Sequence, residues 1–446
     1  MDSLFTVLKE EGLTTLKIQN NWKTNVTRLY AAKEWDPDVD FSKYNKDFYA
    51  ESLLTDTGVY YNTEQVWELY RKYGLEDYLQ QVIDKIKAGR HFQIEAYYNA
   101  KYEIHFMYNQ HSKKLGVHNK RRGLFTGGIR RHELDENELD CIQDGLNLGR
   151  AMSFKNIPAG VHYGGAKTVV QMPPLDINDM EELGWLAYVI DKARGMSTPD
   201  MKLPNEMVGI IVENFSKQWL AGNNSKLGSS AVPTGIGVFH AVKQAVKFKL
   251  GKDTLDGVTV AMQGLGDVGI TIAREMMKEN AKLYVADVDE ERLKAFQAEY
   301  PDNVVIVPTD EIMNIEADVF CPCAMGGILT EENIPNLKFK IIIGAANNQL
   351  KAKSVEEELE LAKLLGENDI LFQVDWWHNC GGVIVAIAEY EQGDTITLDE
   401  VIQTTIDRVS KLTWEKLTEA EEKGLTPTEA IYAECEDIIY GDKDLM

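Results

Sequence analysis

The chain has 446 residues, with 47 Lys plus Arg against 71 Asp plus Glu and a formal net charge of −24. Its length suits more than one domain, and its 44% hydrophobic and 26% charged shares exclude a disordered chain. The acid excess lacks the basic footprint that nucleic acid or an anionic membrane surface demands, so neither is expected as a partner.

In chain order, the N-terminus MDSLFTVLKEEG has acids where a secretory leader needs bases. No apolar run reaches the roughly 18 residues of a membrane span, and a soluble, cytoplasmic protein is expected. Residues 1–100 read as mostly helical. Residues 64–88 space apolar side chains at three and four, with a break at Gly74. Residues 102–108 partly alternate and predict a strand. The basic run His118-Asn119-Lys120-Arg121-Arg122 reads as a solvated turn. An amphipathic helix is predicted over 138–154, a glycine break at Gly164-Gly165, and a helix over 179–192. Residues 221–235 (AGNNSKLGSSAVPTG) carry the strongest linker signal, with a domain boundary near 225.

Beyond the linker, short apolar runs alternate with helical stretches. Strands are predicted at 258–263, 282–287, 303–307, 317–321, 340–344 and 370–374, with helices beginning near Asp267 and Glu290. That alternation predicts parallel strands with crossovers, hence an α/β doubly wound sheet. Helical patterns return after Asn379. The five cysteines, Cys141, Cys321, Cys323, Cys380 and Cys435, are too sparse for a disulfide framework and read as reduced thiols. Cys321-Pro322-Cys323 is too tight for zinc spacing, the eight His form no ligand-spaced set, and no metal is expected.

Gly264-Leu265-Gly266-Asp267-Val268-Gly269 is a G-x-G-x-x-G run after a predicted strand and at the start of a predicted helix. The first glycine permits the tight turn, the second lets a pyrophosphate reach the backbone, and the third lets helix pack on strand. The phosphates would meet the helix N-terminus. An acid about 20 residues later binds the ribose hydroxyl, and Asp287 stands at 287 − 264 = 23 positions on. A carboxylate repels a 2′-phosphate, and Val288 and Asp289 supply no base, so NAD is favoured over NADP.

In the first part of the chain, Gly164 and Gly165 would let a substrate approach the backbone beside Lys167. A lysine desolvated there, or placed near a second cation, has a lowered pKa and serves as a base near neutral pH. Lys155 and Asp200 are further candidates, Asp200 in a loop between helices. On residues alone, each lysine reads more simply as a surface charge.

The segments TGGIRRH (126–132), GRAMSFKNIPAGVHYGGAKTVV (149–170), TPDM (198–201), VPTGIGV (232–238), QGLGDVG (263–269), ADVD (286–289), CPCAMGGIL (321–329), GAANNQL (344–350) and NCGGVI (379–384) follow one another in a family's order. From about 102 to 390 the chain resembles the glutamate/leucine/phenylalanine/valine dehydrogenase family. That family deaminates an L-amino acid oxidatively and reversibly to a 2-oxo acid and ammonia, with a nicotinamide cofactor. The resemblance implies an α/β chain of two domains. A substrate-binding and oligomerisation α/β domain spans 1–225, and helices about 376–446 partly return to it. A Rossmann-type doubly wound NAD-binding domain spans 226–375. It implies that Lys155 holds the substrate carboxylate. Lys167 is the low-pKa lysine that activates water and stabilises the carbinolamine, and Asp200 exchanges protons with the substrate nitrogen. Thr234 and Asn347 match positions near the nicotinamide, and the 321–327 loop, with Cys323 and Ala324, lines the cofactor crevice. The resemblance further implies an active site in a cleft between domains that opens and closes, and a homo-oligomer.

Glutamate enzymes of the family carry Lys before the Gly-Gly-x-Arg segment, where this chain has Thr126 before Gly127 and Gly128. They carry Ser four residues beyond the second Gly of the NxGG segment, where this chain has Ala386, with Val383 nearer. Without those partners a side-chain carboxylate would be buried unpaired, at a cost of several kcal/mol. The substrate expected is therefore a small-molecule L-amino acid with an apolar or aromatic side chain. The overall length and the basic run keep a second reading, a glutamate dehydrogenase with a rearranged pocket. A third, a non-catalytic nucleotide-binding regulator, needs none of Lys155, Lys167 and Asp200.

Overall fold

The computed structural model describes residues 2–44, 57–117, 125–204, 206–216 and 227–445, so the basic run 118–122 lies outside the described residues. The chain divides into two compact units. One comprises Met1–Asn156 and His162–Ser225, the other Ile157–Val161 and Lys226–Met446.

The first unit opens with α1 (Leu4–Glu11), capped by the Ser3 side chain and ended by left-handed Gly12. Strands β1 (Thr15–Asn21) and β2 (Val26–Ala32) follow, then β3 (Tyr60–Tyr61), α2 (Thr63–Lys72) and α3 (Glu76–Ala88). Gly74, at φ +69, separates the two helices where the periodicity breaks. Next come β4 (Gln93–Asn99), β5 (Ile104–Gln110), β6 (Phe125–Thr126), β7 (Ile129–His132), α4 (Glu138–Ala159), β8 (Gly164–Gln171), α5 (Met180–Ala193), β9 (Gly195–Met196) and α6 (Glu206–Asn214). Nine strands form one sheet in the order β3-β2-β1-β4-β5-β8-β6-β9, with β7 also on β8. Pairing is antiparallel from β3 to β8 and parallel from β8 onward.

Residues 1–100 are not mostly helical; β1 to β4 lie within them. Leu16 and Ile18 alternate along β1 and join Val66, Leu79, Val82 and Ile86 of α2 and α3 in one core. Nor is Gly164-Gly165 a break, since both lie in β8. A Cβ on Gly164 would stand 2.0 Å from Ser112 O, and one on Gly165 2.0 Å from Ser153 N. Protein backbone, not substrate, uses the space these glycines leave.

The second unit contains α7 (Ala231–Leu250), β10 (Thr259–Gln263), α8 (Asp267–Lys278), β11 (Lys282–Ala286), α9 (Glu290–Glu299), β12 (Val304–Ile306), β13 (Ala317–Pro322), β14 (Phe339–Ile342), α10 (Val355–Glu367), β15 (Leu371–Phe372), α11 (Asp375–His378), α12 (Gly381–Gln392), α13 (Leu398–Lys423) and α14 (Pro427–Tyr440). Its six strands run β12-β11-β10-β13-β14-β15, all parallel. Counted from the first, that order is 3-2-1-4-5-6, which places a ligand crevice beyond the C-terminal ends of β10 and β13. The linker cluster gives way to helix earlier than its composition implies, because Pro233 fits the first turn of α7. The C-terminal helices group with this unit rather than with the first. Arg408 of α13 there donates to Pro158 O at 2.9 Å. Among the described residues, no helix is long and apolar enough to cross a membrane.

Candidate functional site

Strands β6 and β7 both run alongside β8, separated by Gly127-Gly128. A Cβ on Gly127 would stand 1.7 Å from Ala166 O, so only glycine lets the chains pass. Side chains two apart on a strand share a face, so Gly128, Arg130 and His132 lie on one side of the sheet. The register Ile129↔Thr168 puts Lys167 beside Gly128 on that side. A Cβ on Gly128 would be 3.2 Å from Lys167 Nζ and 3.2 Å from the Asp200 Cβ, so the glycine keeps open the space in front of both groups. Asp200 reaches the same spot because the segment after β9 pairs with β7: Ile129 N donates to Thr198 O (2.8 Å) and Asp200 N to Ile129 O (2.9 Å).

Lys167, 7% exposed, donates to Asp200 Oδ2. Arg130 Nε donates to the same oxygen at 3.3 Å, and its Nη1 to both oxygens of Asp144, at 3.1 and 3.0 Å. Burial pushes the Lys167 ammonium below its ordinary range; Asp200 opposes that shift and Arg130 adds to it. Burial raises the Asp200 carboxyl, but Lys167 and Arg130 outweigh it, and the group lies below its ordinary value. The result is an ionised carboxylate against a lysine that gives up its proton more readily than usual.

His132, Glu136 and Cys141 bring possible ligand atoms within 4.8 Å of one another. Asp144, Cys141 and Glu136 hold the His132 imidazole protonated, raising it to about 10. His132 pairs with Glu136 at 2.7 Å and lies 3.5 Å from Asp144, which joins the cluster to the Arg130 pair.

The second constellation lies at the C-terminal ends of β10, β11, β13 and β14. Gly264, at φ +95, turns the chain, and a Cβ there would meet the Ala324 Cβ at 2.8 Å. Gly266 caps α8, with open space where its Cβ would be. A Cβ on Gly269 would strike Gly264 O at 2.2 Å. The open N-terminus of α8, from Asp267 and Val268, faces this turn. Asp287 Oδ2 accepts from Leu265 N at 2.6 Å and its Oδ1 from Asp289 N at 2.9 Å, tying the acid to the glycine loop. Cys323 N donates to Gln263 O at 2.7 Å, which brings the Cys323–Ala324 loop beside Gly264. Asn347, exposed, accepts from Asn379 Nδ2 at 2.9 Å. A Cβ on Gly381 would lie 2.6 Å from Thr234 N, so α12 begins against the first turn of α7. A bare turn, an open helix N-terminus and a nearby carboxylate fit a dinucleotide.

Two family models match the chain. Glutamate/Leucine/Phenylalanine/Valine dehydrogenase matches residues 228–291 and 284–440, and the Glu/Leu/Phe/Val dehydrogenase dimerisation domain matches 115–217. A leucine dehydrogenase from Thermoactinomyces intermedius is 35% identical over 277 residues, 60% of this chain and 72% of that protein. The chain belongs to the glutamate/leucine/phenylalanine/valine dehydrogenase family. It is an amino acid dehydrogenase, an oxidoreductase acting on CH–NH2 donors. A phenylalanine dehydrogenase from Lysinibacillus sphaericus is 29% identical over 335 residues, 74% of this chain and 85% of that protein. The crystal structure of L-tryptophan dehydrogenase from Nostoc punctiforme superposes with a TM-score of 0.68 at 26% identity, covering 80% of this chain and 98% of that one. The hetero-hexameric glutamate dehydrogenase from Thermus thermophilus (TM-score 0.57, 19% identity, 76% and 84% covered) shares the fold.

Of the residues singled out in this family member, Lys167, Asp200 and Gly128 come together, with Gly127 and the buried Thr126 on the same strand line. Lys155 is half-buried on α4. Val383 and Ala386 lie three residues apart on one face of α12, in the second unit. Arg130, Asp144 and His132 were not assigned from sequence. The signal for Arg130 was present, because a period of two from Gly128 puts it on the lysine's face; Asp144 arrives from α4 and carries no local mark.

Proposed function

We propose that this enzyme oxidatively deaminates an L-amino acid with an apolar or aromatic side chain, using NAD. The observation that carries the reading is the buried Lys167–Asp200 pair beneath Gly128. NAD, when bound, accepts the hydride from Cα. Lys155 holds the substrate carboxylate and fixes which face of Cα is presented. Asp200, ionised, takes a proton from the substrate nitrogen. Lys167, depressed in pKa by burial, takes a proton from water as its oxygen adds to the imine carbon, and then stabilises the carbinolamine. Asp200 returns its proton to the nitrogen, Lys167 releases the water proton to solvent and takes the hydroxyl proton, and ammonia leaves as the carbonyl forms.

Support for NAD is the carboxylate of Asp287 at the end of β11, followed by exposed Val288 and by Asp289, a site suited to a sugar hydroxyl and hostile to a 2′-phosphate. Support for the side-chain class is Thr126 and Ala386 where a glutamate would need partners. The names of the relatives, phenylalanine, leucine, valine and tryptophan dehydrogenases, agree with it. The same reading makes the protein a homo-oligomer built through its first unit, which the dimerisation-domain model matches.

The test is an initial-rate panel at alkaline pH, following reduced-cofactor absorbance with L-leucine, L-phenylalanine, L-tryptophan and L-glutamate, each with NAD and NADP. Turnover of an apolar or aromatic substrate with NAD is expected. Turnover confined to glutamate overturns the side-chain class, and preference for NADP overturns the role of Asp287.

A further inference from the structure

We infer that Arg130, braced by Asp144, is a positioning residue that fixes the Asp200 carboxylate against Lys167 and tunes the charge state of that pair. The inference rests on the deamination role proposed for Lys167 and Asp200.

Arg130 lies on β7, two residues from Gly128, and its fork is divided between two carboxylates. Nε is 3.3 Å from Asp200 Oδ2, and Nη1 spans both oxygens of Asp144 at 3.1 and 3.0 Å. Asp144 Oδ2 is in turn 3.5 Å from His132 Nε2, and His132 Nδ1 is 2.7 Å from Glu136 Oε2. Glu136 Oε1 is held by Glu133 N at 2.8 Å and by Lys202 Nζ at 3.1 Å. Charges therefore alternate in sign from Lys167 through Asp200, Arg130, Asp144 and His132 to Glu136, and the far end is anchored to backbone.

This arrangement has two consequences at the reacting end. Both cations use Oδ2 of Asp200, and among the described residues Oδ1 accepts no hydrogen bond, so one oxygen is left to exchange a proton with a substrate nitrogen. Arg130 is also a cation set beside both groups. Its fixed positive charge favours the ionised form of Asp200 and the neutral form of Lys167 together, the pairing that the chemistry uses. Asp144 acts with the opposite sign. The charged groups that bear on Lys167 are Asp200 from the segment after β9, Arg130 from β7 and Asp144 from α4; those that bear on Asp200 are Lys167 and Arg130. All are partly buried, so these fields are less screened than surface ones.

The test uses the full chain and two readouts. One is the pH dependence of kcat/KM for deamination. The other is the pH midpoint for acetylation of Lys167 by acetic anhydride without substrate, read by peptide mass spectrometry. Arg130→Gln should move the midpoint, and the acid limb of kcat/KM, upward by about one pH unit, the low end for a lost neighbouring charge. Asp144→Asn should move both downward. Arg130→Lys should hold the midpoint near that of the wild type while lowering kcat, because an ammonium cannot divide a fork between two carboxylates. A merely structural role would lower activity in all three without opposite shifts. Midpoints unmoved in Arg130→Gln and Asp144→Asn, or moved the same way, overturn the inference. If Arg130→Gln does not fold, the sign of the Asp144→Asn shift decides. Acetylation reads the amine itself, so absence of turnover in the wild type would sink the deamination reading and leave this result separately legible.

Discussion

Lys167 owes its lowered pKa to what surrounds it rather than to its identity. A lysine 7% exposed would be an unpaired buried charge without Asp200, and an ordinary ion pair without the desolvation that pulls its pKa down. Gly128 matters for the same reason, since its missing side chain is the space in front of the pair. Gly128→Ala should keep the fold but crowd Lys167 Nζ, with kcat/KM falling on the order of 10²-fold, the effect of an ångström-scale misplacement at a reacting centre. Steady-state rates with far-UV circular dichroism check this, and an unchanged rate would remove Gly128 from the site. At this scale the sequence offers candidates where a motif names the residue, as for Lys155, Lys167, Asp200, Gly264, Gly266, Gly269 and Asp287, and their roles belong to the proposal. It was silent on Asp144 and His132, whose roles come from pairings between α4 and β7 that no local spacing encodes.

Among the elements, the strand–turn–helix at Gly264 was legible because each glycine has a separate steric reason. The φ of +95 and the 2.8 Å approach of the Ala324 Cβ show that two constraints meet at Gly264. Gly264→Ala should destabilise the protein by about 1–3 kcal/mol, the cost of a strained non-glycine backbone, and weaken cofactor binding. Denaturant unfolding and cofactor fluorescence titration measure both, and a neutral substitution would contradict the close packing. The N-terminal strands are hard to see in the sequence for an identifiable reason. The helical periodicity of 64–88 is strong, whereas β1 buries Leu16 and Ile18 but keeps Lys17 and Gln19 only half-covered, a weaker signal in a polar stretch. A glycine pair usually marks a turn, but at Gly164-Gly165 the need is close packing against Ser112 and Ser153. The described residues within 1–100 thereby acquire a structural role, as the outer strands and the helical cover of the first unit's sheet.

For the whole molecule, the proposed function divides labour between two units. The first carries Lys155, Lys167 and Asp200; the second carries the glycine turn and Asp287. The motif chemistry changes along the chain between these units, and the final helices group with the second. In a chain of net charge −24, the proposed site rests on Lys167 and Arg130, each held by neighbouring carboxylates. Separate machinery in each unit implies separable losses. The most direct measurement compares wild type with Lys167→Ala for amino-acid-dependent NAD reduction and, in parallel, for NAD affinity by fluorescence titration. The account expects turnover to fall on the order of 10²–10⁴-fold, as for a lost general acid–base group, with NAD affinity unchanged. Turnover that survives the substitution, with affinity intact, would contradict it.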